Sequence, residues 1–144
     1  MSKAIIFFAD GLEECEALIT VDLLRRAGVE VTIASVMGRA EIVGAHKIRI
    51  LCDAVAESVD LSAADAVILP GVGAFRDAAE KLRQSGLDQV VVVNAKAGKP
   101  LLGICLGMQM LFDKSYEYGE YAGLGLIPGD IMPLEGYVPA HLKI

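Results

Sequence analysis

Short apolar runs alternate with amphipathic helical stripes along most of this chain, and this alternation constrains its architecture more than any other feature. The runs are expected to be strands buried on both faces: Ala4–Ala9, Val31–Val36, Ala66–Leu69 and Leu101–Ile104. The stripes predict helices at Glu13–Ala27, Phe75–Arg83, Leu87–Ala97 and Gly107–Lys114. Buried strands separated by helices predict an α/β fold with a mainly parallel, doubly wound sheet and helices on both of its faces.

Two regions depart from this alternation. Period-two patterning at Lys47–Ile50 predicts a half-exposed hairpin at a sheet edge, between Glu41 and Cys52. Beyond Tyr116, glycines interrupt the pattern, and the short strands predicted there are Leu124–Ile127 and Ile131–Leu134. The chain has 144 residues and no linker-like segment, so a single domain over residues 1–144 is predicted.

Composition excludes several classes of function. Apolar residues make up 54% of the chain and charged residues 22%, which excludes a disordered chain. The net charge is −6 and no Lys/Arg run occurs, so we expect no nucleic-acid and no membrane partner. Three cysteines without CxxC spacing indicate the reducing cytoplasm and predict neither a disulfide nor a metal site. No cofactor is expected.

The clearest chemical signal is Gly103-Ile104-Cys105-Leu106-Gly107, between a predicted strand and a predicted helix. It matches the G-x-nucleophile-x-G elbow with a cysteine as nucleophile, where the glycines prevent clashes across a strained turn. We expect the helix N-terminus to favour the Cys105 thiolate and the N–H of Leu106 to face an oxyanion. Cys15 and Cys52 lie in no such motif and are interpreted as small core residues.

A second glycine-rich turn, Pro70-Gly71-Val72-Gly73, follows the preceding buried strand. Adjacent parallel strands end at the same sheet edge, so its N–H groups could complete an oxyanion hole beside Cys105. An ordinary strand-to-helix turn accounts for the same residues equally well.

From Lys3 to about Leu69 the chain resembles the ThiJ/PfpI family, which includes the Parkinsonism-associated deglycase. The resemblance lies in A-D-G-L-E-E-C-E-A-L-I-T-V-D-L-L-R-R-A-G-V-E-V-T-I-A-S-V and in the later L-C-D-A. That family places a glutamate beside its elbow cysteine, and the position that matches it here is Glu16.

From Leu69 to Ile144 the chain instead resembles the glutaminase subunit of imidazole glycerol phosphate synthase, a class I glutamine amidotransferase. The matching text is L-P-G-V-G-A-F-R-D-A, G-K-P-L-L-G-I-C-L-G-M-Q-M-L-F and G-L-G-L-I-P-G. The resemblance implies Cys105 as nucleophile and Gln109 as a substrate contact. It also implies that the oxyanion is stabilised by Val72, Gly73 and Leu106.

Both families share a flavodoxin-like, class I glutamine amidotransferase-like fold, a three-layer sandwich with a mainly parallel sheet. One domain can therefore hold both resemblances, with a ThiJ/PfpI-like half at residues 1–69 and a glutaminase-like half at residues 70–144. Their join at the strand Ala66–Leu69 suggests an engineered or recombined chimera.

The histidines depart from both family patterns. The glutaminase family completes its triad with a His and a Glu in a segment that would begin where this chain stops. The ThiJ/PfpI family has a histidine after the nucleophile helix, in a segment that is replaced here. Only His141 follows the elbow, and both it and His46 are interpreted as surface residues. We expect no efficient glutamine hydrolysis, because triad members act as a unit.

Three functions stay open at this point. One is glutamine hydrolysis by Cys105, as in histidine biosynthesis. Another is a ThiJ/PfpI-type deglycase or redox-sensing thiol that uses Glu16 and Cys105. The third is a chimera made from two flavodoxin-like relatives, with a residual reactive cysteine and no efficient catalysis. The missing histidine and the join favour the third.

The fold is expected to bring Glu16 and Cys105 to one crevice, because the strands that precede them end at the same sheet edge. A protonated Glu16 that donates to the sulfur would favour the thiolate. We therefore predict that Cys105 alkylates and oxidises faster than Cys15 and Cys52, and that Glu16→Ala or Glu16→Leu slows it.

The expected partners follow from the incomplete match to the glutaminase family. A chain that stops early leaves unpaired sheet edge or apolar surface, which favours a homodimer. The cyclase subunit of the synthase is implied by resemblance alone and would meet only part of its docking surface.

Overall fold

The structure is a computed structural model that describes residues 2–134, 138, 139 and 141. Its strands are β1 (Lys3–Phe8), β2 (Glu30–Ser35), β3 (Glu41–Val43), β4 (Arg49–Leu51), β5 (Ala54–Val55), β6 (Ala66–Gly71), β7 (Leu101–Cys105), β8 (Phe112–Ser115), β9 (Tyr121–Ala122) and β10 (Ile127–Ile131). Its α-helices are α1 (Glu14–Arg26), α2 (Phe75–Gln84), α3 (Leu87–Lys96) and α4 (Leu106–Gln109). Within the described residues, no helix has both the length and the apolarity that a membrane span requires.

The central sheet has five strands in the order β5-β2-β1-β6-β7, and every neighbouring pair is parallel. Chain order reverses at β1, where β2 lies on one side and β6 on the other. Without the two-residue edge strand β5, the order β2-β1-β6-β7 is the 2-1-3-4 order of flavodoxin-like sheets, in which ligands bind beyond the carboxyl ends of the strands. The predicted fold class is confirmed.

Successive side chains of β1 pack on opposite faces of the sheet. Ile5 and Phe7 pack into the cluster that also contains residues of α2 and α3, such as Phe75. Their neighbours Ile6 and Phe8 pack into the opposite cluster, which contains residues of α1 and of the β3–β4 hairpin. Period-two alternation thus produces the three layers, because successive strand residues point to opposite faces.

The predicted hairpin exists, but it does not lie at the edge of the main sheet. Strands β3 and β4 form a separate antiparallel pair, in which Ile42 lies opposite Ile50. Both isoleucines are buried in the cluster that contains α1 residues, and the edge strand of the main sheet is β5. The hairpin therefore covers one face, because its apolar side packs on the core.

The helix predicted at Gly107–Lys114 is wrong beyond its first turn. Helix α4 ends at Gln109, and β8 begins at Phe112 and pairs with both β9 and β10. The backbone of Gly123 lies so close that a Cβ there would stand 2.1 Å from the carbonyl oxygen of Phe112. Pairing with these distant strands outweighs the local helical pattern.

The two short strands predicted after Tyr116 are also misplaced. The observed strands are β9 and β10, and β10 contains Pro128 and Gly129. Proline and glycine ordinarily indicate breaks between strands. They are tolerated here because the pairing of β10 with β8 is irregular between Ile127 and Asp130.

Candidate active site

Cys105 occupies a strained position at the carboxyl end of β7. Its backbone has φ 53° and ψ −121°, a conformation that residues with a side chain rarely adopt. The residue is exposed, and α4 begins at the next residue, Leu106. The strained strand-to-helix elbow predicted from the sequence is therefore present.

The two glycines of the elbow are required by close packing. A Cβ on Gly107 would lie 1.8 Å from the carbonyl oxygen of Leu69, in the neighbouring strand β6. A Cβ on Gly103 would lie 2.5 Å from the Cα of Met108. The elbow is thus pressed against β6 on one side and against the start of α4 on the other.

The second glycine-rich turn lies beside the elbow. Gly71 is the register partner of Cys105, so Val72 and Gly73 continue from the strand end next to the nucleophile. Gly73 has φ 97°, which favours glycine, and Val72 is exposed. The backbone of this turn is thereby brought to the same sheet edge as Cys105.

This turn is tied to the carboxyl-terminal part of the chain by Glu117. A carboxylate oxygen of Glu117 (Oε2) accepts the backbone N–H of Phe75, the first residue of α2, at 2.8 Å. Ala74, the residue before the helix, offers no side-chain cap. The sequence does not indicate this contact, because Glu117 and Phe75 are 42 positions apart.

We expect Glu117→Ala to lower the free energy of unfolding by about 1 kcal/mol, the typical value of a helix cap. The matched control is Glu120→Ala, which breaks the exposed Lys114–Glu120 ion pair and leaves stability unchanged. Urea denaturation measures both variants. Equal stability of the two would contradict the capping role.

Glu16 lies in the first turn of α1, and its carboxylate raises the pKa of the Cys105 thiol. Although Cys105 is exposed, partial desolvation of its sulfur raises the pKa of the thiol. A hydrogen bond to Glu16 raises this pKa further, while the backbone N–H of Leu106 lowers it. The net shift is upward, opposite to the thiolate stabilisation expected at the elbow. The physical reason is that desolvation of the sulfur, followed by the Glu16 hydrogen bond, outweighs the Leu106 N–H at the start of α4, which is only a single turn long.

The other two cysteines have different surroundings. Cys52 is buried, as predicted, and burial raises its pKa. Cys15 is exposed, so its interpretation as a core residue is wrong. The pKa of Cys15 is raised first by a hydrogen bond to Glu13 and then by the charges of Glu13 and Glu14.

Gln109 is half-buried at the last position of α4, and His141 is exposed. The groups that shift the pKa of Cys105 include no histidine among the described residues. The elbow, Glu16 and the Val72–Gly73 turn are the parts that the fold brings to one region.

Sequence reasoning also misses a contact between α1 and the β3–β4 hairpin. The buried Glu14 accepts the backbone N–H of His46 at 2.8 Å with one carboxylate oxygen and contacts the Nδ1 of the same residue at 2.8 Å with the other. The hydrogen bond from His46 lowers the pKa of Glu14 to about 2. Acidic residues at a helix start are explained equally well by the helix dipole, which needs no specific partner.

Comparison with known proteins identifies the family. The profile of the DJ-1/PfpI family matches residues 2–122, which is most of the chain. The chain belongs to the DJ-1/PfpI family. Among solved structures, Drosophila melanogaster DJ-1beta has a TM-score of 0.61 and 30% sequence identity over 72% of this chain and 55% of its own. Oxidised Toxoplasma gondii DJ-1 has a TM-score of 0.62 and 28% identity over 70% of this chain and 54% of its own.

The second resemblance is present as well. The imidazole glycerol phosphate synthase subunit HisH of Wolinella succinogenes is 66% identical over 71 residues, which cover 49% of this chain and 35% of that protein. The match to the HisH subunit of Oceanobacillus iheyensis spans 41% of its length, so the chain covers well under half of such relatives. About half of this DJ-1/PfpI chain is thus highly similar to part of HisH.

Proposed function

We propose that this chain carries a single reactive thiol of the DJ-1/PfpI type, in which Cys105 is the nucleophile and Glu16 controls its protonation. The observation that carries the proposal is the strained, exposed elbow at Cys105 with a carboxylate beside the sulfur. Strain of this kind persists where the surrounding structure enforces it, and it clusters at active sites.

The chemistry starts with loss of the Cys105 proton, because the thiolate is the nucleophile. With a peroxide, the thiolate sulfur attacks one oxygen, the O–O bond breaks, and the other oxygen leaves as hydroxide or alkoxide. Cys105 becomes a sulfenic acid as the peroxide is reduced. With a carbonyl substrate, the thiolate adds to the carbon and the oxyanion forms beside the N–H groups of Leu106, Val72 and Gly73.

The raised pKa of Cys105 keeps the reactions of its thiol slow near neutral pH. Burial and Glu16 both disfavour the thiolate, so only a small part of the population is reactive. Reactivity increases as the pH rises toward the pKa of the thiol. The proposed site therefore has a residual reactive cysteine and no efficient catalysis.

Glutamine hydrolysis is the second candidate, and the 66% identity with a HisH subunit favours it. In that reaction Gln109 would contact the substrate amide, and the HisH-type partner would be a cyclase subunit. A cysteine hydrolase also needs a general base, and the groups acting on Cys105 include no histidine among the described residues. We therefore rank this function below the reactive thiol.

The coexistence of both resemblances supports a recombined or engineered origin. The DJ-1/PfpI profile spans residues 2–122, whereas the 66% identity to a different subunit is confined to 49% of the chain, and this contrast is what supports a chimera of two flavodoxin-like relatives. Three free cysteines fit the reducing cytoplasm. The exposed Ile19 and Leu23 of α1 support the homodimer expected from the sequence.

One paired experiment separates the two candidate functions. Purified chain and its Cys105→Ser variant are treated with peroxide plus a sulfenic-acid trap, and are separately incubated with glutamine. We expect trapped sulfenic acid at Cys105 and no glutamate release above the Cys105→Ser level. Glutamate release that Cys105→Ser abolishes would favour hydrolysis, and no trapping at Cys105 would contradict the thiol site.

A further inference from the structure

We infer that Glu13, Glu14 and His46 form a binding site for a divalent transition-metal ion such as Zn²⁺, separate from the Cys105 site. The ligand atoms of these residues all lie within 4.8 Å of one another. Imidazole nitrogen and carboxylate oxygen are ordinary zinc ligands, and three protein ligands leave one position for water or another ligand.

The distances within the cluster are close to those of a tetrahedral site. His46 Nδ1 lies 2.8 Å from Glu14 Oε2 and 3.7 Å from Glu13 Oε2. Zinc bonds of about 2.0–2.1 Å in tetrahedral geometry put neighbouring ligands roughly 3.3–3.5 Å apart. The two observed distances lie on either side of that range, so small side-chain movements would bring all three ligands onto one ion.

A buried carboxylate oxygen without a partner points independently to a ligand. Glu13 caps α1 with Oε1, which accepts the N–H of Cys15 at 3.2 Å. Its other oxygen, Oε2, is buried and has no hydrogen-bond partner among the described residues. His46 Nδ1 lies 3.7 Å from this oxygen, beyond hydrogen-bond distance, and a bound cation would compensate the oxygen directly. The Glu13 side chain as a whole is 25% exposed, which leaves a path for entry from solvent.

The backbone holds the cluster in place before an ion binds. The loop that carries His46 is tied to the residues before α1 by two bonds: Gly11 N–H to the Val43 carbonyl and Ala45 N–H to the Leu12 carbonyl. Gly44 packs so tightly on Glu14 that a Cβ there would lie 2.1 Å from Glu14 Oε1. The sequence predicts no metal site because its cysteines lack ligand spacing, whereas these ligands come from two separate segments.

The test is a Zn²⁺ titration of the chelator-treated chain by calorimetry, with Co²⁺ absorption as a second readout of coordination. We expect one Zn²⁺ per chain and at least about a tenfold loss of affinity in His46→Gln. Glu13→Gln keeps the capping oxygen and should weaken binding similarly, so it serves as a second variant if His46→Gln fails to fold. His141→Gln, Cys105→Ser and Cys15→Ser are the controls and should bind as the unmodified chain does.

The inference is overturned if the unmodified chain takes up no Zn²⁺, or if His46→Gln and Glu13→Gln bind it unchanged. Loss of binding in Cys15→Ser or Cys105→Ser would assign the ion to a thiol and would overturn it as well. Because the readout is binding rather than thiol reactivity, these outcomes are independent of the proposed function.

Discussion

Gly107→Ala should destabilise this chain by about 3 kcal/mol or more, a large effect for the addition of one methyl group. The new Cβ would lie 1.8 Å from the carbonyl oxygen of Leu69, a backbone atom that moves only if β6 moves with it. Strand β6 is the central neighbour of both β1 and β7, so the cost would spread through the sheet. Urea denaturation, followed by circular dichroism, measures the loss.

The matched control is Gly98→Ala. Gly98 adopts a left-handed conformation, with φ 91°, but a Cβ there meets nothing within 4 Å. Its cost is therefore limited to backbone strain of roughly 1–2 kcal/mol. If Gly107→Ala loses no more stability than Gly98→Ala, the elbow is not packed as described.

Glu16→Gln should change the pH dependence of Cys105 more than any other substitution in the site. The carboxylate raises the pKa of the thiol by accepting its hydrogen bond and by its charge. Without that charge the folded-state pKa falls, so more thiolate is present near neutral pH and alkylation becomes faster. The measurement is the iodoacetamide rate at Cys105, from peptide mass spectrometry between about pH 6 and about pH 10.

Glu13→Gln provides a reciprocal control within the same helix. Glu13 raises the pKa of Cys15, so this variant should speed alkylation of Cys15 and leave Cys105 unchanged. Slower labelling of Cys105 in Glu16→Gln would instead mean that a protonated Glu16 donates to the sulfur, as the sequence suggests. That result would refute an upward effect of Glu16 on the thiol pKa.

The sequence predicts the central sheet well because buried parallel strands and amphipathic helices carry strong local patterns. Strand β1, helix α1 and helix α3 are all predicted correctly in kind. The region after the elbow is not, because β8 exists only through pairing with β9 and β10. Long-range pairing leaves no reliable local signal in a segment such as Met110–Phe112.

In the candidate site, too, features formed by neighbouring residues are predictable from the sequence, whereas contacts between distant segments are not. The elbow is predictable, because its glycines and cysteine lie within five consecutive residues, Gly103 to Gly107. The approach of Glu16 to Cys105 is expected from the fold, but the direction of its effect on the thiol pKa is not, since that depends on burial and on the length of α4. The Glu117–Phe75 contact and the Glu14–His46 contact join distant segments and cannot be predicted from patterns.

The central claim is that Cys105 is the reactive thiol of this chain, and limiting iodoacetamide labelling of the native protein near neutral pH tests it most directly. Cys52 is buried, whereas Cys15 and Cys105 are both exposed. Cys15 faces two carboxylates, and Cys105 faces one carboxylate and receives the N–H of Leu106. We predict that Cys105 is labelled first and Cys52 last. Equal labelling of all three cysteines, or faster labelling of Cys15, would contradict the claim.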